Sequence, residues 1–99
     1  MNVQPWLLPW AEELMSYFPA RRVTSSYRSY SEQWMLWRRY LNGQSRYPAA
    51  PPGRSWHNYG RAWDVDDADP RQLQEMGMIW ESWGGRWGGR FGDPIHFEA

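Results

Sequence analysis

The order of hydrophobic patterns predicts an α+β fold: helix, strand, helix, strand, helix, strand, with the strands in a small antiparallel sheet and the helices flanking it. Three observations carry this expectation. Apolar residues recur at helical spacing in three stretches, alternating stretches lie between them, and clusters of Pro, Gly and Ser separate the two kinds.

Residues Trp6 to Phe18 read as the first helix, with Leu7, Trp10 or Ala11, Leu14 and Phe18 on one side and Pro19 as the stop. Arg22 to Tyr27 alternates and carries Val, Thr and Tyr, so a short strand is expected. Ser29-Tyr30-Ser31-Glu32 has the spacing of a capping box and opens a helix to about Leu41, with Trp34, Trp37 and Leu41 on a shared face. Asn42-Gly43 ends it, and Gln44 to Arg54 is a loop suited to one wall of a cleft. His57 to Gly60 reads as a turn and Arg61 to Asp66 as a strand, with Ala62 and Asp64 on one face and Trp63 and Val65 on the other. Asp69 is an N-cap before Pro70; the helix ends at Gly77 or runs on to Trp83. Gly84 to Gly92 is glycine-rich and turns the chain back. Ile95 to Glu98 is the last strand, His96 and Glu98 on one face, Ile95 and Phe97 on the other.

At 99 residues the chain is expected to form one domain over residues 1–99. A chain this small buries only about two thirds of its unfolded surface, so a bound metal would help it fold. The absence of cysteine excludes disulfides and thiolate metal sites. Eleven basic and eleven acidic residues cancel, so neither broad nucleic-acid binding nor a membrane-surface helix is expected. No run approaches membrane-spanning length, and Trp6-Leu7-Leu8-Pro9-Trp10 is too short and proline-broken for a secretory signal. Of the nine tryptophans, some must build the core and others could line a cleft for sugar or peptide.

The chain has two histidines. His57 and Asp64 stand seven positions apart with Gly60 between them to let the chain turn, and His96 comes from a distant segment. Histidine nitrogen and carboxylate oxygen are zinc ligands, and three protein ligands with an open fourth position are the arrangement of a catalytic zinc. Asp64-Val65-Asp66-Asp67-Ala68-Asp69 looks in part like a calcium loop, but Ala68 and Asp69 stand where an acid or amide and a glycine are needed. A weaker calcium site at Asp66, Asp67 or Asp69 is the alternative to a strand end followed by an N-cap, which is favoured.

Ser55-x-His57-x-x-Gly60-x-Ala62-x-Asp64, followed by Asp93-x-x-His96-Phe97-Glu98, resembles the zinc peptidoglycan peptidases. These are the D-Ala-D-Ala carboxypeptidases and the L-alanyl-D-glutamate endopeptidases of phage endolysins. Val23-Thr24-Ser25-Ser26-Tyr27-Arg28-Ser29 is similar to the family's Ser-Gly-Tyr-Arg-Ser, with Ser26 in place of glycine. Trp83-Gly84-Gly85-Arg86-Trp87 resembles the endopeptidase branch's Trp-Gly-Gly-Asp-Trp, with Arg86 in place of the acid. The resemblance spans about Val23 to Glu98 and implies the fold shared with the Hedgehog signalling domain.

It further implies roles. Asp93, which alone reads as a turn former before proline, becomes the general base. Arg28 becomes the group that stabilises an oxyanion or holds a substrate carboxylate. Ser55 and Gln33 are candidates for hydrogen bonds to substrate backbone, and plain turn and helix-surface roles stand equal to these. Glu98 orients His96 or is a surface carboxylate. The function implied is hydrolysis of peptidoglycan stem peptides with Zn2+, tilted by Trp83-Gly84-Gly85 toward the endopeptidase. The alternatives are a D-Ala-D-Ala carboxypeptidase and a non-catalytic zinc module of a phage particle. The partner is a peptidoglycan peptide, the protein a monomer, and its location the host cytoplasm before release to the wall, or the virion.

Overall fold

The computed structural model describes residues 1–99. Its elements follow the expected order with one addition: α1 (Leu8–Ser16), β1 (Val23–Ser25), α2 (Tyr30–Leu41), β2 (Ala62–Val65), α3 (Pro70–Ser82), β3 (Arg86–Trp87) and β4 (His96–Glu98), with single 3-10 turns at Trp56–Tyr59 and Gly88–Phe91. The strands form one antiparallel sheet in the order β1-β2-β4-β3. The class is α+β, consistent with the Hedgehog/DD-peptidase-like fold. No helix is long and apolar enough to cross a membrane.

Local chemistry accounts for the helix boundaries. Ser29 accepts from the Glu32 backbone N–H while the Glu32 carboxylate accepts from the Ser29 N–H, so both halves of the capping box form. Asp69 caps α3, accepting from Arg71 N at 2.9 Å, with Pro70 at the first position. That helix runs through Gly77 to Ser82 because Gly77 is a packing site and no stop. The Trp87 ring lies on it so closely that a Cβ would fall 2.1 Å from Trp87 Cδ2.

One cluster forms the core. Leu7, Ala11, Leu14 and Phe18 meet Trp63, Val65 and Phe97 of the sheet and Leu73, Met76 and Trp80 of α3. Trp63 and Phe97 are cross-strand partners, stacked 4.7 Å apart, and Trp80 sits edge-on to both. Trp83 packs against Trp10, Tyr17 and Trp80 at the edge of this core.

One expectation is refined: the Gly84 to Gly92 stretch contains a strand, β3, too short to leave an alternating pattern. The face of α2 carrying Trp34, Trp37 and Leu41 lies outside the core: Trp34 and Leu41 are exposed, and Gln33 is the helix's buried residue. An aromatic stripe at helical spacing signals a helix but not the side that is buried.

Candidate active site

Alternation along β2 and β4 sends Trp63, Val65 and Phe97 into the core and Asp64, His96 and Glu98 to the opposite face. Antiparallel pairing sets Asp64 directly across from His96. His57 arrives from the 3-10 turn, capped by Ser55 Oγ, which accepts from His57 N at 3.2 Å, and closed by Gly60 at φ 66°. The turn is zipped to the segment after β1. Arg28 N donates to His57 O, Asn58 Nδ2 donates to Arg28 O, and His57 Nδ1 donates to Ser26 O at 2.6 Å. Ser26 carries this contact without a positive φ, so the missing glycine costs no backbone strain.

Three atoms converge. His57 Nε2 lies 3.2 Å from Asp64 Oδ1 and 3.3 Å from His96 Nδ1, and His96 Nδ1 lies 3.0 Å from Asp64 Oδ1. All three residues are buried. The outer nitrogen of each ring is already used as a donor, His57 Nδ1 to the Ser26 carbonyl and His96 Nε2 to Glu98 Oε1 at 2.7 Å. A neutral imidazole has one N–H, so both inward nitrogens carry lone pairs aimed at a carboxylate oxygen. Three acceptors facing one point call for a positive charge between them. Without a metal, a proton on His96 supplies that charge: burial pushes His96 down, yet its hydrogen bonds to Asp64 and Glu98 hold it up at about 9. Burial pushes Asp64 up, but its contacts with His57 and His96 outweigh this and hold the carboxyl well below the usual range. The same demand for positive charge makes this the group of residues that could hold a metal ion.

A cleft of about 580 Å3 opens over these atoms, lined among others by Arg28, Ser55, Asp93 and Phe91. A larger, more open groove of about 810 Å3 between β1 and α2 contains neither a histidine nor an aspartate. Asp93 is partly buried beside the triad, and its carboxyl is raised to about 6 by burial and by the Asp64 charge, against the pull of His96, His57 and Arg28. Gly88 makes this position attainable: a Cβ there would lie 2.1 Å from Asp93 O and 2.8 Å from His96 Cβ.

Arg28 reaches the site by way of Asp64. Its Nη2 donates to Asp64 Oδ2 at 2.7 Å, Nη1 to Gln33 Oε1 at 3.1 Å and Nε to Ser25 Oγ at 2.8 Å. Gln33 takes a different place from the expected substrate contact. It is 1 % exposed and its amide is engaged at both ends, the oxygen accepting from Arg28 and the nitrogen donating to Ala50 O at 2.8 Å. A part-buried line of contacts thus runs from Ala50 on the cleft wall through Gln33 and Arg28 to Asp64. Ser55 is also nearly buried, and its oxygen serves the turn while its side chain borders the cleft.

The loop before the motif supplies Ser45, Tyr47, Pro48, Ala49 and Ala50 to the wall. Outside it is tied by Asp67, which accepts from Arg46 Nη1 at 2.5 Å and Tyr47 Oη at 2.8 Å. Asp66 pairs with Arg21 and accepts from Arg22 N, and Asp69 caps α3. Each carboxylate of the acidic run from Asp66 to Asp69 thus has a partner within the protein.

One feature of the site was hidden in the sequence, and one singled out there finds its place. Asn58 accepts from Gly53 N and donates to Arg28 O, joining the loop to the motif; only its place beside His57 hinted at it. Arg86 lies opposite Glu98 in register and borders the cleft, whereas Trp83 and Trp87 of the same segment do not. Trp87 is packed between Gly77 and Gly89 and donates to Pro94 O.

No curated protein matches the chain. A family model described as VanY: D-alanyl-D-alanine carboxypeptidase matches residues 16–90. The span takes in Arg28, Gln33, His57 and Asp64 and stops short of Asp93 and His96, which the antiparallel pairing of β2 with β4 and the turn before β4 bring to the same cleft. With most of its length matched, the chain belongs to the D-alanyl-D-alanine carboxypeptidase family and is a peptidase of the peptidoglycan-directed kind.

Proposed function

We propose that residues 1–99 are one zinc peptidase domain that removes the terminal D-alanine of a peptidoglycan stem peptide. The single observation that carries the reading is the convergence of His57 Nε2, Asp64 Oδ1 and His96 Nδ1, 3.0–3.3 Å apart, with both outer nitrogens tied off. Ligands about 2.0–2.1 Å from a tetrahedral zinc stand roughly 3.3 Å from one another, so the three donors suit that ion. Zinc in this position would supply a Lewis acid for the scissile carbonyl and lower the pKa of a water molecule in the cleft.

The chain's own groups do the rest. Asp93 takes the proton from the attacking water and passes it to the leaving amine. A carboxyl raised toward neutrality suits both transfers. Arg28 fixes the Asp64 carboxylate through Oδ2 and adds positive charge where the carbonyl oxygen becomes anionic. Glu98 holds His96 in the tautomer that presents Nδ1.

The terminal bond is preferred to the L-alanyl-D-glutamate bond for two reasons. The family match supports it. The segment that tilted the sequence toward the endopeptidase turns its tryptophans away from the cleft and brings only Arg86 to it. The test is digestion of defined peptidoglycan by zinc-loaded protein, with products identified by mass spectrometry. Free D-alanine is expected. New D-glutamate amino termini, with L-alanine left on the glycan, would give the endopeptidase reading. No product from either bond would leave a non-catalytic zinc module.

A further inference from the structure

Three arginines border the cleft: Arg28, Arg54 and Arg86. Arg28 is committed, since its Nε, Nη1 and Nη2 donate to Ser25, Gln33 and Asp64. Arg54 is exposed and makes no side-chain hydrogen bond or ion pair. Arg86 is held in place but not used up. Cross-strand register sets it opposite Glu98, on the sheet face of His96. Its Nη1 stands 3.7 Å from Glu98 Oε2, beyond hydrogen-bond reach, and that buried oxygen has no hydrogen-bond partner. The guanidinium stands 5.7 Å from the ring centre of Trp56, which also borders the cleft and is gripped by Arg61 at 4.4 Å. The side chain is 62 % exposed. The result is a planar donor fork, aimed by an aromatic ring and a buried carboxylate, with most of its donors open.

Resting on the peptidase reading above, we infer that Arg86, assisted by Arg54, forms a subsite that reads a carboxylate of the peptide substrate. A guanidinium fork binds a carboxylate in two parallel hydrogen bonds and loses them to an amide, which offers one oxygen and two unwanted N–H donors. The residue is therefore specificity-determining. It selects free-acid stems over amidated ones and takes no part in the proton transfers. Two carboxylates of a stem have this chemistry, the C-terminal one of the last D-alanine and the α-carboxylate of a γ-linked D-glutamate.

The experiment uses zinc-loaded protein and two substrate pairs. The first pair is a peptide ending in D-Ala-D-Ala and the same peptide as its C-terminal amide. The second is a stem carrying D-glutamate and the same stem carrying D-isoglutamine. For each pair the acid-to-amide ratio of kcat/KM is measured, and calorimetry gives binding of each member. The wild type is expected to favour the acid of one pair by about tenfold or more, the size of a pair of charge-assisted hydrogen bonds. That pair identifies the carboxylate. Arg86→Gln should bring the ratio near one, Arg86→Lys should keep part of it, and zinc content should stay at the wild-type level. If Arg86→Gln fails to fold, Arg54→Gln should lower the same ratio in part. Equal handling of acid and amide by the wild type in both pairs would overturn the inference, as would an unchanged ratio in Arg86→Gln. Should no peptide be hydrolysed, the peptidase reading fails on its own, and calorimetric preference for acid over amide still decides the role of Arg86.

Discussion

Strands β2 and β4 present two faces built from alternate residues of the same seven positions, and the faces obey different rules. On one, Trp63, Val65 and Phe97 sink into a cluster of ten buried side chains drawn from α1 and its flanks, β2, α3 and β4. On the other, Asp64, His96 and Glu98 are equally buried but held by a few named hydrogen bonds. The apolar face is stabilised by area, and many neighbours share each contact. The polar face is stabilised by pairing, and each bond has a single partner whose loss leaves a buried charge or lone pair. The apolar face should therefore govern whether the chain folds, and the polar face what the folded chain can bind and do.

The largest effect separates the two most sharply. Trp63→Ala removes the ring that stacks on Phe97 and meets Trp80. Large-to-small changes at such a site cost about 3–5 kcal/mol, a major share of the stability of a domain this size. At about 4–8 °C per kcal/mol, the Tm should fall by more than about 12 °C, with zinc present or absent. A drop of only a few degrees by circular dichroism would mean that the core rests elsewhere.

Next comes a change on the polar side that leaves folding alone. Asp93→Asn should retain zinc by elemental analysis and lose roughly a hundred- to ten-thousand-fold in kcat. The wild type should lose kcat/KM as pH falls, because Asp93 must be ionised to accept a proton. Burial and Asp64 raise its carboxyl to about 6. A bound cation pulls it down, so the acid limb should lie at or below about 6. Linkage works in the opposite sense in the metal-free protein. A carboxyl raised on folding stabilises the fold at pH below about 4, and that contribution is lost as pH rises through about 6. Asp93→Asn should flatten that slope. Near-native turnover in the variant would remove Asp93 from the mechanism.

Much of both faces is legible in the sequence. Alternation alone assigned Asp64 and His96 to the face opposite Trp63 and Phe97, and the serine and aspartate caps gave the starts of α2 and α3 within a residue. These signals are local: the next residue or the next turn carries them. The illegible parts are pairings across the chain. Gly77 looked like a helix stop because its partner, Trp87, is ten residues away. Gln33 looked like a surface amide because both its partners, Arg28 and Ala50, come from outside its helix. Trp34 and Leu41 share a helical face and are both exposed, because periodicity reports a stripe but not what lies against it. Arg86 looked like a departure from a motif until β3 set it beside Glu98.

Metal removal tests the link between the faces at a middling scale. An ion that binds only the folded state stabilises it by about 2.7 kcal/mol at a hundredfold excess over Kd. Chelation should therefore lower the Tm by roughly 10–20 °C, and added zinc should restore it. His57→Ala should abolish the zinc-dependent part, because one of three donors is gone. The tryptophan near-ultraviolet signal at 25 °C should persist in both cases, since the apolar face is untouched. An unchanged melting curve after verified metal removal would uncouple metal from folding.

The smallest expected effect lies on the cleft wall, where the same contrast recurs between two ties of one loop. The inner tie, from the buried Gln33 to Ala50 O, is partly shielded and belongs to the line of contacts ending at Asp64. The outer tie joins Asp67 to Arg46 and Tyr47, and its charged side chains are 44 % and 76 % exposed. Exposed ion pairs contribute about 0–1 kcal/mol and are screened by salt. Asp67→Asn should therefore shift the Tm by only a few degrees. Its effect should appear in binding instead, because Tyr47 and its neighbours form the wall that a peptide must lie against. KM should rise a few-fold with kcat held, the signature of lost contact shared by ground and transition states. High salt should produce a weaker version of the same change in the wild type and none in the variant. A fall in kcat at constant KM would show that the outer tie positions the reacting groups after all, and would extend the rule of the polar face from the strands to the loop.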